Sequence, residues 1–430
     1  MSEATDAVEY LIVGGGMTAD AAVRGIRSED PEGQIRLLSA EPHPPYDRPP
    51  LSKGLWKGEP EERVHRETGD LQVDLRLDTR AVSLETDPPA VVDDSGTRHE
   101  AQRILLATGA RPRRLADSHE GVIYLRTLDD YRRLRAHLET AQRIAVVGGG
   151  FIGCEIAGSL AAASEAEVHL AFPEEMPLAG KIPPPFDRYL ARTLEDMGVT
   201  LHSGVEVTGV EEDDRGHYRL QTGEENPSPD PGDTQPDVAP VREKESRALG
   251  TLPSLPFDVV VAGLGVEPCV ELARDAGLEV AGGIVVDHGL LTSAPHIWAA
   301  GDVARFPLSL TGRREILGHE EHANESGMLA GRAMAGASVR YDPLPYVYSG
   351  VGELTLEVVG LPSPEDEVEV EAGTGPLDPG CARYFRNGRT TGVLIWNRPG
   401  RAFKVKREWS SKDDNPGPGM DRLRELILQG

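Results

Sequence analysis

Short apolar runs closed by glycine turns recur along this chain. Residues 144–147 (Ile, Ala, Val, Val) read as a buried strand, and Gly148, Gly150 and Gly153 follow in G-x-G-x-x-G order. Ile152, Ile156 and Leu160 then recur at helical spacing. Strand, tight turn and helix form a cradle for a dinucleotide: the glycines admit a pyrophosphate, and the helix N-terminus points N–H groups at it. The same pattern opens the chain, with an apolar run at 10–13, then Gly14, Gly15 and Gly16, and Ala19 at the third position. That position needs only a small residue for helix–strand packing. Each unit continues into a second apolar run, at 35–38 and at 168–172, and then into a carboxylate. Glu41 stands 27 positions after Gly14, and Glu174 stands 26 positions after Gly148. A carboxylate at such a spacing hydrogen-bonds a ribose diol. Two units in register constitute an internal repeat and predict an α/β chain with two Rossmann-like dinucleotide-binding domains.

Between and beyond the repeats the pattern changes. Residues 42–53 hold several prolines and predict a fixed loop. Residues 64–107 alternate like strands around turns at Pro88-Pro89 and Ser95-Gly96. The stretch 221–256 is rich in proline and acid without periodicity, and reads as a disordered, dispensable linker. A strand and turn follow at 257–265, and another strand approaches Asp302. From about residue 338 short strands (354–359, 391–396) and a final helix near 421–429 predict a smaller α+β domain. The expected boundaries are 1–121 and 258–337 for a first domain in two parts, 122–257 for a second inserted into it, and 338–430 for the third.

At 430 residues the chain is long enough for several cores. No run of about 18 apolar residues and no signal pattern is present, so a soluble, cytoplasmic protein without a membrane span is expected. Cys154, Cys269 and Cys381 are scattered, which argues against a disulfide framework or a zinc site. The net charge of −26 excludes nucleic acid as a whole-surface partner. Seven lysines stand against 38 arginines and 71 acids. Such a surface predicts a fold that gains stability with salt, through screening of its own repulsion. Unfolding midpoints should therefore rise from low to molar salt, and a flat response would contradict this.

The motifs together resemble the flavoproteins that bind FAD and NAD(P)H on two dinucleotide domains, within them the ferredoxin-reductase and apoptosis-inducing-factor branch. The resemblance is carried by LIVGGGMTADAA, PYDRPPLSK (45–53), LLATGARPR (105–113), GGGFIGCE, Phe172-Pro173-Glu174 with Gly180-Lys181, GLGVEP (263–268) and IWAAGDVARF (297–306). It covers nearly the whole chain. The Phe-Pro-Glu segment is the feature closest to the apoptosis-inducing-factor side.

The resemblance implies roles residue by residue. FAD is expected on Gly14, Gly16, Ala19, Glu41, Arg48, Lys53, Val82 (through its backbone, at the adenine), Thr108, Gly109, Arg126, Asp302, Glu320 and Tyr348. The expected NAD site comprises Gly148, Gly150, Phe151, Ile152, Gly153, Glu174, Lys181 and Gly265. Lys53 pairs with Glu155 beside the ring nitrogen that accepts hydride, and Phe151 covers the ring until nicotinamide displaces it; these three are the expected catalytic residues. Other readings stay open: Glu155 also suits a helix dipole, and Lys53 a solvated surface. Glu174 at the ribose disfavours a 2′-phosphate, so NADH is expected over NADPH, although Lys181 could accept a phosphate. Where relatives on the apoptosis-inducing-factor side carry Glu-His, this chain has His319-Glu320. Tyr348 stands where relatives have tryptophan.

Two further clusters raise alternatives. Gly318-His319-Glu320-Glu321-His322 resembles a metal motif but is one residue short of H-E-x-x-H, and no metal is expected. Residues 381–407 hold eight Arg or Lys and no acid. They read either as a docking site for an acidic carrier such as a ferredoxin, or as arginines paired with the acids of 363–371 and 408–414. A homodimer is a further candidate assembly. Without a cysteine pair or a single peroxidatic cysteine in the loop holding Pro44, Pro45 and Tyr46, electrons must leave the flavin outward. The leading expectation is hydride taken from NADH and electrons passed to ferredoxin, quinone or oxygen. The alternative is a redox-sensing interaction protein similar to apoptosis-inducing factor, with slow NADH oxidation.

Overall fold

The computed structural model describes residues 7–116, 119–222, 255–410 and 416–429. The first glycine unit builds a sheet in the order Val73–Arg76, Ile35–Leu38, Val8–Val13, Arg98–Leu106, Pro89–Asp93 and Ala81–Thr86, and Ile297–Ala299 adds to Arg98–Leu106 in parallel. The parallel strands Val8–Val13 and Ile35–Leu38 are nearly all buried, as strands covered on both faces must be. The helix Met17–Glu29 makes the crossover between them. Against it lies the helix Glu320–Met334. A Cβ on Gly25 would strike the Met328 carbonyl oxygen at 2.1 Å, and one on Gly331 the Ala22 oxygen at 2.1 Å. Glycine on both helices thus lets the two backbones touch, which fixes the start of the second helix beside the first glycine turn.

The second unit is a parallel sheet ordered Val199–Ser203, Glu167–Phe172, Arg143–Val147 and Val259–Ala262. The strand Val259–Ala262 pairs with Arg143–Val147, so this unit runs past the expected boundary at 257. The expected linker is also shorter at its front, because Tyr218–Thr222 is a strand of a hairpin with Val207–Glu212. Residues 223–254, on which the disordered-linker expectation chiefly falls, lie outside the described residues. Strand alternation was expected from 64, yet Glu61–Val64 and Thr68–Leu71 form 3-10 turns and the strand begins at Val73.

The last unit is an antiparallel sheet in the order Tyr346–Val351, Leu354–Gly360, Arg389–Trp396, Gly380–Arg386 and Glu367–Glu371. It shares a core with the second unit: Trp396 and Phe186 are fully buried with ring centroids 4.9 Å apart. Tyr46, Leu51, Leu55 and Trp56, from the proline-rich loop and its extension, enter the same core. The loop is therefore held by the second and third units although it belongs to the first in sequence. The basic segment runs into a helix absent from the expected elements, Ala402–Ser410. The final helical stretch runs over Met420–Leu423 and Arg424–Leu428. Among the described residues, no helix is long and apolar enough to cross a membrane.

Candidate functional site

Both glycine turns open onto one cleft of ≈ 1730 Å³. At the first turn Gly14 adopts φ +128°, and a Cβ there would lie 2.1 Å from the Ala107 carbonyl oxygen. Gly16 caps the helix with no side-chain hydrogen bond, so first-turn N–H groups stay available to an anion. A Cβ on Gly16 would find only Arg48 Nη2, at 3.9 Å, which leaves room for a phosphate beside a guanidinium. The second turn repeats this construction. Gly148 has φ +109°, with the Gly263 oxygen 2.6 Å from a built Cβ, and Gly150 is again a cap without a side-chain bond. A Cβ on Gly153 would meet the Gly148 oxygen at 1.8 Å, so this glycine serves helix–turn packing and does not line the cleft. Ala19, fully buried, has the same packing role in the first unit. These two cradles fit the pyrophosphates of two dinucleotides.

Around the first cradle a polar chain joins distant segments. Arg48 Nη2 bonds Glu41 at 2.6 Å, Tyr46 Oη donates to Glu41 at 2.6 Å, and Arg48 Nη1 donates to the Arg126 carbonyl at 2.6 Å. Arg126 Nη2 in turn meets Asp302 at 2.9 Å. Thr108 Oγ1 donates to the Cys269 carbonyl at 2.7 Å, and Gly109 has φ +66°. All of these except Tyr46 line the cleft. Val82, expected to meet the adenine through its backbone, is 52% exposed, and Thr79, Arg80 and Ala81 beside it line the cleft.

Where the two cradles meet stands the pair Lys53 and Glu155, with Nζ 2.8 Å from Oε2. Glu155 is 2% exposed, and Ser52 Oγ and Ser349 Oγ donate to its two oxygens at 2.6 and 2.5 Å. No sequence motif marks either serine, and the contacts span 103 and 194 residues. Lys53 Nζ also lies 5.4 Å from the Tyr348 ring centroid, and Tyr348 Oη donates to Glu320 at 2.7 Å. That bond and burial, burial foremost, hold the Tyr348 phenol well above its ordinary range. Phe151 is the first helical residue of the second cradle, with Lys181 Nζ 5.6 Å from its ring centroid. Ile152, Glu174 and Gly265 (φ +83°) complete this wall. Cys154 is buried, and burial pushes its thiol up to about 12, which removes it from thiolate chemistry.

The two histidines of the His-Glu-Glu-His run do different work. His319 lines the cleft, and burial lowers its basicity. His322 points into the core, where it stacks on Phe306 at 5.1 Å. Nε2 faces the Gly301 carbonyl at 3.1 Å, so that nitrogen carries the proton, and Tyr341 Oη donates to Nδ1 at 2.6 Å. Burial pushes His322 down to about 4, against opposing contributions from Gly301 and Asp302. An unfolded histidine titrates near about 6.5, so the unfolded chain takes up the proton first as pH falls. Stability present above pH 6.5 should be lost progressively until the pH passes about 4. A His322→Gln variant should show a flatter dependence of thermal midpoint across that window. An unchanged slope would assign the titration to another group.

The basic segment divides. Arg383 pairs with Glu369 at 3.1 Å, Arg386 with Asp366 at 2.9 Å, and Lys406 with Glu321 at 2.7 Å. Arg389, Lys404 and Arg407 are exposed. Phe403, 64% exposed, lies at the cleft on the same helix as Lys404 and Arg407.

Two glycine cradles facing one cleft, with a lysine paired to a buried glutamate at their junction, define a two-nucleotide oxidoreductase. Residues 8–335 match the pyridine nucleotide-disulphide oxidoreductase family, and the chain belongs to it. It is 30% identical over 402 residues to putidaredoxin reductase of Pseudomonas putida, covering 90% of this chain and 88% of that one. A ferredoxin–NAD(+) reductase component of the biphenyl dioxygenase system of Paraburkholderia xenovorans is 32% identical over 359 residues, covering 81% and 80%. Among solved structures, the covalent putidaredoxin reductase–putidaredoxin complex superposes with a TM-score of 0.83 at 27% identity, covering 98% of each chain. The ferredoxin reductase for the CYP199A2 system of Rhodopseudomonas palustris gives 0.82 at 28% identity, covering 98% of this chain and 100% of that one.

Proposed function

We propose that this chain oxidises NADH and passes the electrons, through FAD, to a ferredoxin. The observation that carries this reading is the single cleft joining both cradles, with Lys53 and Glu155 between them. The names of the relatives supply the direction of electron flow and the acceptor class. FAD, when bound, accepts a hydride and can release electrons one at a time.

The first cradle, with Gly14, Gly16 and Arg48, takes the FAD pyrophosphate, and Glu41 takes its ribose. Arg126 and Asp302 hold the chain between phosphate and ring, and Thr108 and Gly109 give close backbone approach. Tyr348 and Glu320 border the ring. Lys53 offers positive charge where the ring becomes electron-rich, and Glu155 keeps that ammonium in place. Gly148, Gly150 and Ile152 take NADH, with Phe151 moving aside and Gly265 opposite. Glu174 selects the unphosphorylated ribose. Phe403 at the cleft, with the exposed Lys404 and Arg407 on its helix, suits an acidic carrier, since opposite charges steer encounter and an aromatic anchors it. We place the reaction in the cytoplasm, where unpaired cysteines such as these persist.

An anaerobic NADH titration of the yellow protein tests the reading, followed by addition of a reduced-cluster-forming ferredoxin, a quinone or oxygen. Rapid bleaching by NADH and rapid return with ferredoxin are expected. Slow turnover with a persistent long-wavelength band would favour a redox sensor instead. Glu174→Ala should raise the KM for NADH about tenfold, the loss of roughly one hydrogen bond to a charged group. Better use of NADPH than of NADH by the parent protein would overturn the role of Glu174.

A further inference from the structure

The Glu155 carboxylate is a meeting point of three parts of the chain. It sits on the helix Phe151–Ala163 of the second unit, and it is 2% exposed. Ser52 and Lys53, from the proline-rich loop, both address Oε2, at 2.6 and 2.8 Å. The other oxygen, Oε1, accepts from Ser349 at 2.5 Å. Ser349 lies on the strand Tyr346–Val351 of the antiparallel sheet and is 4% exposed. That strand packs on the Glu155 helix closely enough that a Cβ on Gly158 would lie 2.8 Å from Val351 Cγ1.

Successive residues of a strand point to opposite faces. Ser349 therefore turns inward to Glu155, while its neighbour Tyr348 faces the cleft, with its ring 5.4 Å from Lys53 Nζ and its hydroxyl on Glu320. One strand thus addresses the lysine–glutamate pair from both sides. A carboxylate bonded through one oxygen can swing about its terminal torsion, which is a broad, soft rotation. Bonded through both, it is fixed, and so is the ammonium that it holds at the end of a flexible four-carbon stem.

We propose that Ser349 is a positioning residue, through which the C-terminal sheet fixes the Glu155 carboxylate and hence the Lys53 ammonium beside the flavin. This rests on the reading that the flavin ring lies at Lys53. Without the Ser349 hydroxyl, Glu155 turns, Lys53 relaxes toward solvent, and positive charge is lost where the reduced ring needs it.

The test uses the flavin-loaded protein with Ser349→Ala and Ser349→Thr, read by stopped-flow reduction and by spectroscopic redox titration. The alanine variant should be reduced about tenfold more slowly at saturating NADH, with KM for NADH within about twofold of the parent. Its flavin midpoint potential should move to a more negative value, a readout that a merely structural role would leave alone. The threonine variant, which keeps the hydroxyl, should restore both. If the alanine variant fails to retain flavin, Ser349→Cys keeps the volume and weakens the donor, with the same direction of change expected. A parental rate and potential in the alanine or the cysteine variant overturns the assignment of Ser349. A parent protein that takes up no flavin overturns the functional reading beneath it.

Discussion

Gly14→Val should yield a colourless protein. Gly14 holds φ +128°, and the added Cβ would stand 2.1 Å from the carbonyl oxygen of Ala107, a backbone atom that cannot step aside. A β-branched residue at positive φ adds strain of roughly 1–3 kcal/mol to that collision. The turn must therefore move, and with it the N–H groups presented to the pyrophosphate. Flavin content should fall below about a tenth of the parent's, consistent with a loss of several kcal/mol in binding. The comparison is Gly58→Ala, where φ is +85° but no atom lies within 4 Å of the new Cβ. That variant carries the strain without the collision and should stay yellow. Full flavin occupancy in Gly14→Val would show that the first cradle does not hold FAD.

Removing the lysine at the junction should have the second large effect. Lys53→Ala leaves the Glu155 carboxyl at 2% exposure with two serine donors and no cation partner. Breaking a buried pair from one side typically costs about 3–5 kcal/mol. Lys53 itself is 23% exposed, so solvent screens part of the interaction and the lower half of that range is expected. The chemical effect should be of comparable size. Preorganised positive charge at a developing negative centre is commonly worth about 10²–10³ in rate. Stopped-flow mixing with NADH should therefore show reduction slowed by about two orders of magnitude, and the flavin potential should become more negative. Denaturant midpoints would report the stability loss separately. A variant reduced at the parental rate would remove Lys53 from the reaction.

The contrast between residues that were legible in the sequence and those that were not has a common physical origin. Gly14, Gly148, Glu41 and Glu174 could be found because a glycine turn and its carboxylate are tied together by local chain geometry at fixed spacing. Side-chain orientation over 79–82 is less legible: Thr79, Arg80 and Ala81 line the cleft, while Val82 is 52% exposed. The boundary at 257 missed because the short run Val259–Ala262 could pair with either parallel sheet, and its partner is Arg143–Val147. The eight cations of 381–407 looked alike in the sequence. Folding pairs Arg383, Arg386 and Lys406 with acids and leaves Lys404 and Arg407 exposed on the helix whose Phe403 lines the cleft.

By itself the sequence determined the two glycine cradles, the carboxylates that follow them, and the resemblance from which FAD and NADH are expected. Each of these rests on interactions within about thirty residues of chain, where backbone geometry leaves few alternatives. Only the tertiary structure decided that both cradles open onto one cleft, that the proline-rich loop seats in the core of another unit, and that Glu155 is gripped by Ser52, Lys53 and Ser349. Those arrangements join residues 100 to 200 positions apart. Their side chains carry no local signature, because a serine that completes a buried carboxylate is indistinguishable in sequence from one that faces water.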